Sequence, residues 1–172
     1  MLQNVRFAFL LVMIISPVVI FSQEINRKIT DQRLNKEILY GYCDRSGLQE
    51  GDFGEAFSEY YRNYKPDKAV IRQLRKLDKD ADITIVLGTW CSDAEKQVPR
   101  FLKILDRIKF NKQRITMICV DRDKKVEGID IQKLDIQRIP TFIVYVKGRE
   151  AGRIIEKPYL SLERDLLMFL SD

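Results

Sequence analysis

The sequence predicts an α/β fold: a central mixed β-sheet flanked by helices, with an N-terminal helical extension ahead of it. Three observations predict this. Short apolar runs of strand length recur at residues 83–87, 115–120, 142–146 and 152–155. They are mostly apolar rather than strictly alternating, as strands largely buried on both faces are. Between the first two, residues 94–108 place Val98, Phe101, Leu102, Leu105 and Ile108 on one helical face.

A strand, helix, strand unit of this size implies a right-handed crossover and parallel pairing. Lys147-Gly148 separates the last two runs closely enough for a hairpin, which adds antiparallel pairing. The end of the chain, from a capping Ser161 through Leu162, Leu166, Leu167 and Leu170, reads as a closing amphipathic helix. Residues 80–172 are therefore expected to form the α/β domain and residues 23–79 a helical lead-in. In the lead-in, Phe53, Ala56, Phe57, Tyr60, Tyr61 and Tyr64 recur at helical spacing, the pattern of a packed face, and Asp52 with Glu55 can close a capping box. Lys65-Pro66-Asp67 stops that helix, and Val70, Leu74 and Leu77 mark another after it. A weaker periodicity predicts an earlier helix over residues 25–40.

Residues 1–22 carry Arg6 as their only charge, then an apolar stretch and a polar exit at Ser22, the layout of a secretory signal peptide. The apolar stretch is interrupted by Ser16 and Pro17 and falls short of the ~20 residues a spanning helix needs, so a permanent N-terminal anchor is the weaker alternative. Cleavage would place the protein outside the cytoplasm, periplasmic or secreted, where disulfides persist.

The chain has 172 residues and no histidine, which removes Ser/His/Asp and Cys/His pairs and histidine metal sites together. Its 30 basic and 25 acidic residues are interspersed, with no concentrated basic stripe, so nucleic acid is not an expected partner. Asp121-Arg122-Asp123 falls short of the six to eight oxygens calcium takes and reads as a solvated loop. No metal and no cofactor is expected, and chemistry is left to cysteine, carboxylates, lysine or tyrosine.

The chemistry-bearing segment follows the first buried strand: Gly88-Thr89-Trp90-Cys91-Ser92-Asp93-Ala94, leading into a helix that contains Pro99. A cysteine at such a junction meets unsatisfied backbone N–H groups and the helix dipole, which favour a thiolate. Asp93 beside it either adds an opposing like charge or caps the helix. Later, Ile139-Pro140-Thr141 immediately precedes a strand, where a cis proline would make a tight turn.

With these elements in this order the sequence resembles the thioredoxin family over about residues 80–170. Trp90-Cys91 matches the pair that opens the family's active-site helix, Pro99 its helix proline, and Ile139-Pro140-Thr141 its cis-proline turn. The lead-in and residues 88–101 look closest to secreted thioredoxin-like proteins of Gram-negative bacteria of the Bacteroidetes type, which points to the periplasm. Two departures stand out. The family's second cysteine would stand at Ala94, so Cys-x-x-Cys has become Cys91-Ser92-Asp93-Ala94, and the family's buried carboxylate falls on Ile85.

What the resemblance implies is thiol–disulfide exchange, of reductase or isomerase type, through Cys91 alone, with a small external thiol or another cysteine resolving the mixed disulfide. The substrate would be a protein or peptide thiol or disulfide. Ile139 beside Pro140 would pair with its extended backbone, and Trp90, Ser92, Asp93 and Thr141 would flank the sulfur. Cys119, inside an apolar run, reads as a buried packing residue. Cys43, in a glycine-flanked junction, either reaches Cys91, to resolve or to lock it, or is an unpaired packing residue; the first needs Cα atoms within about 7 Å. The alternative from another class is a redox-inactive module that keeps the groove and binds an extended peptide or a partner protein.

Overall fold

The protein is described from a computed structural model over residues 24–77 and 80–171. The signal segment expected at residues 1–22 lies outside the described residues.

The core is a five-stranded mixed sheet. Its strands are β3 (Gly41–Cys43), β4 (Ala81–Leu87), β5 (Ile115–Cys119), β6 (Thr141–Val146) and β7 (Arg149–Ile155), in the order β3-β5-β4-β6-β7. Only β4 and β5 run parallel, joined through helix α3 (Ser92–Arg107); every other neighbour is antiparallel. The hairpin between β6 and β7 turns at Lys147 and Gly148, both at positive φ (49° and 76°). That backbone matches the twist of the flanking strands, and glycine adopts it without steric cost.

The two faces of the sheet are covered differently. Ile83, Ile85 and Leu87 of β4 point to the side where helices α1 (Gly51–Asn63), α2 (Lys68–Leu74), α3 and α4 (Leu162–Ser171) bury their apolar residues. Phe53, Phe57, Phe101, Phe142 and Leu166 meet there. Val86 and Ile118 point to the other side, where Val126, Ile131 and Ile139 of the irregular segment after β5 form a second, smaller cluster.

Most of the α1 aromatic stripe packs on the core, as its spacing predicts, while Tyr60 stays half-exposed outside it. Phe53 and Phe57 are buried, and Tyr61 stacks on Phe57 while its hydroxyl donates to Asp106 of α3 at 2.6 Å. Arg45 also donates to Asp106 and lies over the Tyr61 ring. Lys103 of α3, nearly buried, donates to the carbonyls of Tyr61 and Arg62 at the end of α1, and its burial lowers its pKa. The expected box between Asp52 and Glu55 does not form. Glu50 occupies the N-cap without a capping bond from its side chain, which accepts from Lys28 instead, and Asp52 pairs with Lys36 at 2.7 Å. Asp67, after the Lys65-Pro66 break, caps α2 through the N–H groups of Ala69 and Val70, and Ser161 Oγ accepts from Arg164 N at the start of α4.

The helix expected over residues 25–40 is a correction: those residues form a β-hairpin, β1 (Lys28–Asp31) with β2 (Lys36–Leu39). Local turn chemistry overrides the weak periodicity. Asp31 Oδ1 accepts from the N–H groups of Arg33 and Leu34, and Asn35 takes a positive φ of 50° that ends the turn. The chain then continues into β3, so the lead-in supplies an edge strand of the main sheet as well as helices.

Candidate active site around Cys91

Cys91 stands where β4 ends and α3 begins. It is the N-cap of α3 in extended conformation (φ −101°, ψ 120°), its carbonyl accepts from Glu95 N, and its own N–H donates to Gly88 O at 3.0 Å. The turn from Gly88 thus holds the sulfur at the end of the helix where unpaired N–H groups gather. Cys91 is half-buried. Its Sγ lies 3.6 Å from the carbonyl oxygen of Ile139, and the Ile139–Pro140 peptide bond is cis. Residues 48 positions apart in the chain are therefore in contact at the site.

The other residues singled out by sequence fall around this pair with distinct roles. Trp90 packs on the smaller cluster, and its Nε1 donates to Val120 O at 3.0 Å. Thr141 is buried and its hydroxyl donates to Arg138 O at 2.6 Å, so it fixes the proline turn. Pro140 O accepts from Glu156 N, which ties the same turn to the end of β7. Ser92 is exposed and Asp93 half-buried. Asp93 does not cap α3, because the cap position is Cys91; it lies in the first turn, where a carboxylate complements the dipole.

Ala94 and Ile85 are both fully buried against the helices. The position of the family's second thiol is filled by a methyl group, and the position of its buried carboxylate by a hydrocarbon. Cys43 is not placed with Cys91. It is buried rather than exposed, and its Sγ lies 3.0 Å from that of Cys119. The Asp121 carboxylate is used by its own loop, accepting from the N–H groups of Asp123 and Lys125. Among the described residues no group of three or more His, Cys, Asp or Glu is placed to hold a metal ion, and no helix is long and apolar enough to cross a membrane.

Three neighbours were not assigned a role from sequence. Gly88 leaves room for Trp90: a Cβ there would sit 2.6 Å from the indole Cε2 and Nε1. Thr89 Oγ1 accepts from Leu39 N at 3.1 Å, which fastens the β2 end of the hairpin to the active-site turn. The Arg122 guanidinium lies 5.2 Å over the Trp90 ring. The glycine before Thr89-Trp90 was the one available signal; the other two depend on segments remote in the chain. Between the hairpin and the start of α1, a cleft of about 430 Å³ opens against Thr89 and Trp90, lined by Glu37, Leu39, Glu50 and Phe53.

A family model described as Thioredoxin matches residues 50–161. The chain belongs to the thioredoxin family. Among solved structures, this thioredoxin-family chain is similar to a protein of unknown function from Pseudomonas aeruginosa, at 16% identity and a TM-score of 0.51, covering 74% of this chain and 86% of that one. It is also similar to an HIV epitope-scaffold, at 16% identity and a TM-score of 0.54, covering 74% and 92%. Mitochondrial thioredoxin 3 from Saccharomyces cerevisiae, in its oxidized form, aligns at 17% identity and a TM-score of 0.32 over 56% of this chain and 86% of that one. No curated protein matches. The fold is thus shared with the first two of these structures, whose sequences have diverged widely.

Proposed function

We propose that this thioredoxin-family protein is a periplasmic thiol–disulfide exchanger of reductase or isomerase type that works through one sulfur, Cys91. The observation that carries the reading is the placement of Cys91 Sγ at the N-terminus of α3 and 3.6 Å from the Ile139 carbonyl beside Pro140. A sulfur meant only for packing has no need of a helix end and an open side. In the reaction, the Cys91 thiolate attacks one sulfur of a protein or peptide disulfide; the Cys91–substrate bond forms, the substrate bond breaks, and the departing sulfur takes a proton. A second thiol, from the substrate or a small external donor, then attacks the mixed disulfide and releases Cys91 as a thiolate. When the substrate supplies that thiol, no net electrons are needed and the outcome is isomerisation. Cys43 has no part in this cycle, since its sulfur is engaged at Cys119.

A second reading is a redox-inactive module that holds an extended peptide or a partner protein in the same groove. The burial of Ala94 and Ile85, which leaves no second thiol and no buried carboxylate at those positions, favours it. Cys91→Ser separates the two. Incubation with a peptide bearing an intramolecular disulfide should give a mixed disulfide at Cys91, and the serine variant should show only the background rate. Equal behaviour of the two proteins, with peptide retained by both, would overturn exchange and leave the binding module. Export is tested separately, by the N-terminus of the protein recovered from the periplasmic fraction: a cut near Ser22 is expected, and an intact Met1 would favour the anchor.

A further inference from the structure

Cys43 and Cys119 are the two cysteines outside the candidate site, and the structure brings them together. Cys43 ends β3, an edge strand of only three residues, and Cys119 ends β5 beside it. The register pairs Cys43 with Met117 and Gly41 with Cys119, so the two cysteines are diagonal neighbours whose side chains share one face of the antiparallel pair. That face is the helix-covered core. Cys43 is 7% exposed and Cys119 0%, and the two sulfurs are 3.0 Å apart, although the residues stand 76 positions apart in the chain. Two unbonded sulfurs in a packed core do not normally approach so closely. Closing the contact to the ~2.05 Å of a bond is a movement of about 1 Å.

We infer that Cys43 and Cys119 are oxidised to a structural disulfide that staples the edge strand β3 to β5 and leaves Cys91 as the single free thiol of the protein. In the oxidation a Cys43 or Cys119 thiolate attacks a small-molecule disulfide such as oxidised glutathione, and one glutathione leaves. The other cysteine then attacks the mixed disulfide and expels the second. One Sγ–Sγ bond forms, one glutathione S–S bond breaks, and the two cysteine protons end on two glutathione thiols, which carry away the two electrons.

The bond forms while the chain folds. Once β3 is docked, burial pushes the Cys119 thiol well above its ordinary pKa, so the thiolate that exchange requires is scarce there, and Cys119 itself is fully buried. In the finished bond the Cys119 sulfur stays buried, which leaves the Cys43 side, at a small surface cleft, as the one approach for a thiol. Three residues of edge-strand pairing hold β3 weakly, and a crosslink across the 76-residue separation restricts the unfolded chain. The inference does not depend on exchange at Cys91.

The full chain carrying Cys91→Ser tests it, with the unsubstituted chain run in parallel. Each is unfolded and reduced, refolded in a mixture of reduced and oxidised glutathione, then denatured in iodoacetamide without reductant and digested with trypsin. The expected result is that peptides 37–45 and 115–122 are recovered joined, two hydrogens lighter than their sum, and part only on reduction. In the unsubstituted chain the same link should appear, with Cys91 alkylated or carrying glutathione. Recovery of Cys43 and Cys119 as separately alkylated or separately glutathionylated peptides in both proteins would overturn the inference. So would a link from Cys91 to either of them in the unsubstituted chain.

Discussion

Trp90 Nε1 donates to the carbonyl oxygen of Val120 at 3.0 Å, and Val120 N in turn donates to Leu87 O at 2.9 Å. The ends of β4 and β5 that carry the active-site turn are therefore tied twice, once through the backbone and once through the indole. Trp90→Phe removes the second tie and leaves the carbonyl oxygen of buried Val120 without the indole donor. The expected cost is about 1–2 kcal/mol, read as a lower urea midpoint at unchanged slope. Arg122→Ala, which removes only the cation over the ring, should cost less, about 0.5–1 kcal/mol.

Gly88 is required by space rather than by backbone angle. A methyl group there would meet the Trp90 ring at 2.6 Å and Ile139 Cδ1 at 2.9 Å, so Gly88→Ala must displace the indole or the proline turn. Overpacking of this kind costs about 1–3 kcal/mol. Trp90 is the only tryptophan, so a shifted fluorescence maximum in the folded variant reports its movement directly. An unchanged spectrum and an unchanged urea midpoint would contradict this packing.

Glu163 joins α4 to the end of α1. It is buried, and its carboxylate accepts from Tyr64 OH at 2.6 Å and from Asp67 N at 2.9 Å. Glu163→Ala orphans both donors and should cost about 3 kcal/mol, against about 1 kcal/mol for Tyr64→Phe, by urea unfolding. Near-equal costs would mean that water satisfies Asp67 in the variant.

The pH dependence has a sign on each side. Burial, and in second place the Glu163 carboxylate, raises the Tyr64 pKa, and burial first of all raises those of Tyr61 and Tyr145. Protonated in the folded state, these groups contribute stability that is complete below the unfolded value near 10 and is lost as pH rises through their higher folded values. Thermal midpoints should therefore fall above about pH 10, less steeply in Tyr64→Phe. On the acid side, Asp44 is held below its ordinary pKa by the Ser46 hydroxyl and then Asn26. Its contribution is present above the unfolded value of about 3.9 and is lost as pH falls through the lower folded value. Asp44→Ala should flatten that part of the acid limb.

Much of the fold was legible because it rests on short-range pattern. The four apolar runs became β4 to β7, and the stripe from Val98 to Ile108 became the buried face of α3, since burial on one or both faces imposes its own period. The hairpin at Lys147-Gly148 was visible as turn chemistry. The same kind of signal was present at Asp31 and Asn35 but was outweighed by a loose helical spacing, and two strands of four residues each were read as one helix. The Asp52–Glu55 box failed for a different reason: the solvent-exposed carboxylate had a better partner in Lys36, supplied by the hairpin.

At the candidate site, Cys91 and Ile139-Pro140 could be named from the linear order of strand, helix and proline turn, because each stands at the end of an element whose position the pattern marks. What the order of residues could not convey is which ends meet. That Thr89 receives Leu39 N and that the Trp90 ring fills the space over Gly88 are decided by how the hairpin and the end of β5 meet the active-site turn, and that Cys43 lies against Cys119 and not Cys91 follows from β3 pairing antiparallel with β5 in one particular register. A strand of three residues carries too little side-chain pattern to specify its own neighbour. Its place was decided by the apolar surface it covers once the rest of the sheet exists, a free energy that arises only in the assembled core.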